Sequence, residues 1–322
     1  MTSPRLAAIV IALGAAWPPA AAAQMMPGPP TGAAGACTIV GPLLSPTDFG
    51  VAAGQVLADA SSVLLPDGRL RMYIFAQGRG VVSAVSVSPD GTSFVPEAGN
   101  RLPDGSGMPR AVVNPSGGWR LYFTSGNGIR SAVSTDGLTF TVETGFRITA
   151  EAAGFLTGTT AGATSGATVV RLADGRYRMY LSDLPRPGDP PGSHRIKSAV
   201  SADQLRWTME EGIRVGPGAP VLTESAEHPF ALVNADGSVT MYYGRFTGGG
   251  SATVEGLYHS TSADGLTFET ETYDIFFGND PDAVRLADGT LVMYYGGFDP
   301  QVGGTINLAS CPDPAAPSGR RR

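Results

Sequence analysis

The chain has 322 residues, with 44 glycines, 26 prolines, 16% charged side chains and a formal net charge of −6. That balance argues against a nucleic-acid partner, which needs clustered Lys and Arg to displace counterions; the one basic run, Arg320 to Arg322, belongs to a predicted disordered tail, 314–322. Beyond the N-terminus no stretch reaches the roughly 18 uninterrupted apolar residues of a membrane span, so no membrane span is expected.

In chain order, the opening MTSPRLAAIVIALGAAWPPAAAAQ places Arg5 before a short apolar run broken by Pro18 and Pro19, with small residues ahead of Gln24. This predicts a Sec-type signal peptide, 1–23, and a secreted or periplasmic protein. A Pro/Gly linker, 24–36, follows. A lipoprotein reading at Cys37 is set aside, because no Leu stands three positions before it.

From Cys37 to Asp313 the sequence repeats. SSVLLPDGRLRMYIF (from Ser61), RAVVNPSGGWRLYFT (Arg110), ATVVRLADGRYRMYL (Ala167), FALVNADGSVTMYYG (Phe230) and DAVRLADGTLVMYYG (Asp282) share an apolar run, a glycine turn and a strand ending in Tyr. Each reads as a β-hairpin whose turn glycine takes positive φ. After the hairpins come SAVSVSPDGTSF, SAVSTDGLTF, SAVSADQLRW and HSTSADGLTF: a third strand, a Ser-x-Asp turn and a fourth strand opening on an aromatic. Four strands per repeat of about 50 residues, without helical periodicity, predict an all-β fold, a five-bladed β-propeller over 37–313. The turn positions Asp67, Ser116, Asp174, Asp236 and Asp288 number the blades.

The fifth repeat ends at INLASCPD, where Cys311-Pro312-Asp313 overlays Ser88-Pro89-Asp90, and it lacks a fourth strand. Cys37-Thr38-Ile39-Val40 is a strand without a blade. It is expected to complete blade five, with a Cys37–Cys311 disulfide joining the ends; two free buried thiols are the alternative. Closing so long a loop is worth at most about 5 kcal/mol on the chain-entropy model.

Innermost propeller strands begin at the channel mouth. Eight residues before each turn stand Asp59, Met108, Gly166, His228 and Asp280; six before stand Ser61, Arg110, Thr168, Phe230 and Asp282. Glu227 adjoins His228, so acids gather on blades four, five and one. Each has a plain alternative. Asp59 and Asp280 can cap strand starts, Asp280 with Asp282 can hold a channel cation such as calcium, His228 can be structural or ligand-binding, and Arg110 can meet an acidic sugar or an inter-blade partner. The recurring Tyr73, Tyr122, Tyr180, Tyr242 and Tyr294 read as packing residues, as do Trp119 and Trp207. Tyr243 and Tyr295 are the better ligand candidates. His194, His228 and His259 are too scattered in sequence for a zinc motif, and no cofactor is expected.

Through VVRLADGRYRMYL, MYYGGF and STDGLTF, nearly the whole mature chain resembles the five-bladed glycosidase propellers, glycoside hydrolase families 43, 32, 62 and 130. The resemblance implies a carbohydrate partner and three carboxyl groups at inner-strand starts: a base, a pKa modulator and an acid. Asp59 matches the first-blade base, with Ala60 in place of the usual proline. The second-blade acid falls near Met108-Pro109-Arg110 and the third-blade glutamate near Ser165-Gly166, where no acid stands; Glu227 and Asp280 lie in the opposite ring order. Two readings follow: a secreted, monomeric propeller that binds a glycan or a partner without catalysis, or a divergent glycoside hydrolase drawing on Asp59, Glu227 and Asp280, with Arg110, His228, Asp282, Tyr243 and Tyr295 as ligand contacts.

Overall fold

A computed structural model describes residues 35–114, 117–126, 128–155, 164–183, 194–245, 255–276 and 278–315. The predicted signal peptide, most of both termini and the tip of the blade-two turn at Ser116 lie outside the described residues. Strand β1 (Thr38–Leu44) is followed by a 3₁₀ turn, Pro46–Phe49. Blade one is β2 (Leu57–Leu64), β3 (Leu70–Ala76), β4 (Gly80–Ser86) and β5 (Phe94–Pro96). Blade two is β6 (Gly107–Val113), β7 (Trp119–Ser125) and β8 (Gly128–Ser134), with β9 (Thr141–Val142) and β10 (Ile148–Thr149) both pairing with β8. Blade three is β11 (Thr164–Arg171), β12 (Tyr177–Asp183), β13 (Ile196–Ser201) and β14 (Thr208–Met209). Blade four is β15 (Glu227–Val233), β16 (Val239–Arg245), β17 (Gly256–Ser262) and β18 (Glu271–Phe276). Blade five is β19 (Asn279–Arg285), β20 (Leu291–Asp299) and β21 (Gly303–Cys311), completed by β1. The five antiparallel sheets form the expected five-bladed propeller, and among the described residues no helix is long and apolar enough to cross a membrane.

The hairpin turns form as their sequence requires. In blade one the Leu65 carbonyl accepts the Gly68 N–H at 3.0 Å, Leu65 N–H donates to Arg69 O at 2.8 Å, and Gly68 has φ +84°. Asp67 Oδ1 accepts the Arg69 N–H at 3.1 Å and holds the turn; Asp174, Asp236 and Asp288 repeat this contact in blades three to five. Apolar residues on both faces of the central strands are buried between sheets, forming separate hydrophobic clusters between successive blades.

Blades one to three share a polar latch to the next blade. Arg71 donates to Glu97 at 2.9 Å and to the Asp136 carbonyl at 3.0 Å, while the Tyr73 hydroxyl donates to Gly137 O at 2.9 Å. Arg120 with Glu143 and Gln204, and Arg178 with Glu210 and Asp264 O, repeat it, as do Tyr122 on Gln204 O and Tyr180 on Gly265 O. The Ser-x-Asp turns thus serve as sockets. A Cβ on Gly137 would lie 2.5 Å from Arg71 Nη1 and 2.9 Å from the Tyr73 hydroxyl, whereas blade three carries Gln204 at the same place, also at positive φ, +64°. All five repeating tyrosines are buried, as the periodicity implies.

At the closure β1 pairs antiparallel with β21, Thr38 opposite Ser310, and Cys37 is bonded to Cys311 with Cα atoms 4.3 Å apart. The register corrects the sequence overlay. Cys311 faces Leu291 as Ser134 faces Trp119, Ser201 faces Tyr177 and Ser262 faces Val239. The blade-one counterpart is therefore Ser86, which accepts the Leu70 N–H at 2.9 Å, two residues before Ser88. Blade one carries a two-residue extension in this turn, consistent with SAVSVSPDG standing against SAVSTDG in blade two.

Candidate functional site

Each innermost strand contains one register shift: Ala58/Ser61, Gly107/Arg110, Ser165/Thr168, Glu227/Phe230 and Asn279/Asp282. Inside each bulge one residue adopts left-handed backbone: Asp59 (φ +58°), Met108 (+49°), Gly166 (+54°), His228 (+50°) and Asp280 (+54°). These are the five positions eight residues before the turns. For a non-glycine residue this conformation costs about 1–2 kcal/mol, and four of the five blades bear it. The bulges bring together side chains from different blades.

Three of them converge. Donor atoms of Asp59, His228 and Asp280, from blades one, four and five, lie within 4.8 Å of one another, and all three residues are buried. His228 Nδ1 is in ion-pair contact with Asp280 Oδ1, and Asp59 is hydrogen-bonded to Asp280. Two glycines make room. A Cβ on Gly296 would lie 2.9 Å from Asp280 Oδ2, and one on Gly166 would lie 3.2 Å from the Cα of His228.

Burial, reinforced by the charge of Asp280, pushes Asp59 up to about 7. For Asp280 burial acts in the same upward sense, but the His228 contact outweighs it and holds the carboxyl below its usual range. His228 is raised to about 10: burial opposes its charge, and Asp280 more than compensates. The arrangement is a carboxyl that titrates near neutrality beside a carboxylate–imidazolium pair.

The positions two residues further on form a belt instead of a ligand surface. Asp282 Oδ2 accepts the Ser62 N–H at 2.9 Å, Ser61 Oγ accepts the Ala111 N–H at 2.9 Å, and Thr168 Oγ1 accepts the Ala231 N–H at 3.3 Å. Each bond ties one blade to the next. Asp282 is fully buried, and burial pushes it up to about 6. Arg110, expected to meet a ligand or an inter-blade partner, is 2% exposed and donates to the main-chain carbonyls of Ala60 (2.7 Å), Pro109 (3.2 Å) and Pro281 (3.3 Å). Its role is inter-blade, because all these contacts are to main chain inside the ring. The Asp280–Asp282 cation pair is likewise not what assembles: Asp59 and His228 gather on Asp280, and Asp282 turns to Ser62.

Tyr243 and Tyr295, expected as ligand contacts, are both buried. Tyr243 is fully buried and its hydroxyl donates to Glu271 Oε1, while Tyr295 packs in the core between blades four and five. The extra face of these strands points into the layer shared with the preceding blade. Glu227 stays outside the three-residue cluster, its Oε1 accepting from Asn279 Nδ2 at 3.3 Å.

Sequence reasoning missed Asp183 and His194. Their side chains lie 3.5 Å apart, Asp183 Oδ1 also accepts the Arg195 N–H at 3.0 Å, and the charge of Glu227 helps to raise His194. Ten residues, LPRPGDPPGS, separate the two in sequence and leave no regular spacing that would pair them.

No protein-family model and no curated protein sequence matches the chain. Solved structures do. A thermostable family-43 glycoside hydrolase superposes with a TM-score of 0.60 at 14% identity, covering 83% of this chain and 98% of its own. This chain has the five-bladed propeller fold of that structure. A member of the family 130 mannoside phosphorylases and hydrolases, acting on β-1,2 mannosidic linkages of Candida mannan, gives 0.59 at 18% identity, covering 90% and 97%. An N-acetylgalactosamine deacetylase from F. plautii gives 0.58 at 12%, covering 85% and 95%. Glycosidase-type propellers and a deacetylase thus share this architecture, so the fold alone does not assign a reaction.

Proposed function

We propose that this protein is a carbohydrate-binding propeller acting outside the cytoplasm, and that it does not cleave its ligand by the paired-carboxylate route. The observation that carries this reading is the closure of Asp59, His228 and Asp280 into one hydrogen-bonded cluster. Paired-carboxylate hydrolysis needs an acid and a second carboxylate about 5–5.5 Å apart when retaining, or about 6.5–9.5 Å when inverting, with sugar or water between them. Asp59 and Asp280 instead bond to each other, and Asp280 is already paired with His228. The fold shared with sugar-processing propellers supports a glycan as the ligand, and buried polar groups of this kind supply hydrogen-bonding specificity in a ligand site.

One observation favours the second reading, a divergent hydrolase. Asp59, raised to about 7, has the protonation of a general acid near neutral pH, and Glu227 is the nearby carboxyl outside the cluster. Screening the purified mature protein on a glycan array, and for turnover of aryl-glycosides and polysaccharides, separates the two. Binding without turnover is expected. Turnover that is lost in Asp59→Asn or Glu227→Gln, with the variant still folded, would replace the binding reading by hydrolysis.

A further inference from the structure

We propose that Asp59, His228 and Asp280 form a binding site for one divalent first-row transition-metal ion at the start of the inner strands. Blades four and five, neighbours in the chain, and blade one, brought beside them by ring closure, deliver one donor atom each into a space where all lie within 4.8 Å of one another. Metal–ligand bonds of about 2.0–2.2 Å hold any two donors within about 4.4 Å, so a small side-chain rotation brings the three to coordinating distance. The donor set, one imidazole nitrogen and two carboxylate oxygens, suits zinc, manganese, iron, cobalt or nickel. Calcium prefers six to eight oxygens.

A second observation points the same way. His228 is nine-tenths buried, yet its Nε2 has no hydrogen-bond partner. A buried imidazole nitrogen left unpaired costs free energy unless something occupies it. Arg110, a buried guanidinium near these carboxyls, donates to main-chain carbonyls instead. Gly166 and Gly296 keep side chains out of the space beside His228 and Asp280. The His259–Asp274 pair of blade four supplies a built-in control: a histidine–carboxylate contact, 2.8 Å, without a third donor gathered on it among the described residues.

This inference deepens the binding reading, since a metal in the site would offer its remaining coordination positions to sugar hydroxyls, but its test needs no sugar. Tag-free mature protein is stripped with a chelator, loaded separately with zinc, manganese, cobalt, nickel, copper, calcium and magnesium salts, desalted, and analysed for bound metal. About one equivalent of a transition ion should be retained, with little calcium or magnesium, and the melting temperature should rise by about 5 °C with the metal well in excess of its dissociation constant. His228→Ala and Asp280→Asn should each weaken retention by at least about tenfold, and Asp274→Asn should leave it unchanged.

Should those variants not fold, the copper-loaded wild type decides. Its electron paramagnetic resonance spectrum should show coupling to a single imidazole nitrogen. Failure to retain any transition ion, undiminished retention in folded His228→Ala and Asp280→Asn, or a spectrum lacking nitrogen coupling overturns the site. Glycan binding by the metal-free protein would leave the proposed function standing in that event, and metal retention without any glycan ligand would leave the metal site standing alone.

Discussion

Blades one to three and blades four and five are built from the same repeat but held to their neighbours in different ways. In the first three, the arginine two residues before the repeating tyrosine reaches an outer-strand glutamate and the turn of the next blade. In the last two, Thr240 and Val292 stand in that place. Tyr294 keeps its bond to Gly91 O at 2.8 Å, but the Tyr242 hydroxyl has none; His259 packs on its ring at 5.3 Å, and Arg285 reaches Asp313 at 2.6 Å instead. The reason is topological. The socket that Tyr242 would use belongs to the turn after β21, which in the last repeat is replaced by Cys311-Pro312-Asp313 and the chain end. Covalent closure takes over where the latch cannot form. The N-terminal segment reinforces it by donating from Cys37 N to Asp274 O at 3.2 Å, so it grips blade four as well as blade five. His228 and Asp280, two of the three clustered side chains, lie on these less repetitive blades.

If closure rests on the disulfide, its removal should give the largest effect. Cys311→Ser with Cys37→Ser should cost about 3–5 kcal/mol in chemical unfolding, and reductant should reproduce it in the wild type; a loss below about 1 kcal/mol would mean that β1 pairing alone closes the ring. Next comes the latch. Arg120→Ala leaves Glu143 half-buried without its partner and should cost about 2–3 kcal/mol, against about 1 kcal/mol for Thr240→Ala, which loses one acceptor of Asn234 at 3.0 Å. Equal losses would erase the distinction between the two regions.

The smallest effect concerns pH. Burial opposes the charge of His194, yet the Asp183 carboxylate holds its pKa above the ordinary 6.5, while Asp183, despite burial, is lowered below 3.8 by the same contact. A raised histidine contributes stability that is complete below 6.5 and disappears as pH rises through the folded value; the lowered aspartate contributes above 3.8 and loses it as pH falls. The pair therefore stabilises most between about pH 4 and 6.5. Melting temperature should fall by a few degrees from pH 6 to 9, and His194→Gln should flatten that slope. An unchanged slope in the variant would assign the pH dependence to other groups.

Blade number, strand order, the role of the five repeating tyrosines and the closing disulfide were legible in the sequence, because each depends on a short pattern recurring in register: a glycine turn, an alternating strand, a serine-aspartate socket. Even the five ring positions could be read, since each lies a constant eight residues before its turn. What those positions do was decided only by the tertiary structure. Whether Asp59 faces solvent or Asp280 depends on the placement of blades more than 200 residues apart, and the left-handed bulge that turns each side chain out of the strand alternation leaves no local signature. Likewise, Arg110 is an inter-blade tie because Ala60 and Pro281 bring their carbonyls to it from two other blades, and Tyr243 is core because its face meets another sheet. Local backbone preference is written residue by residue, whereas burial and charge pairing are properties of the closed ring.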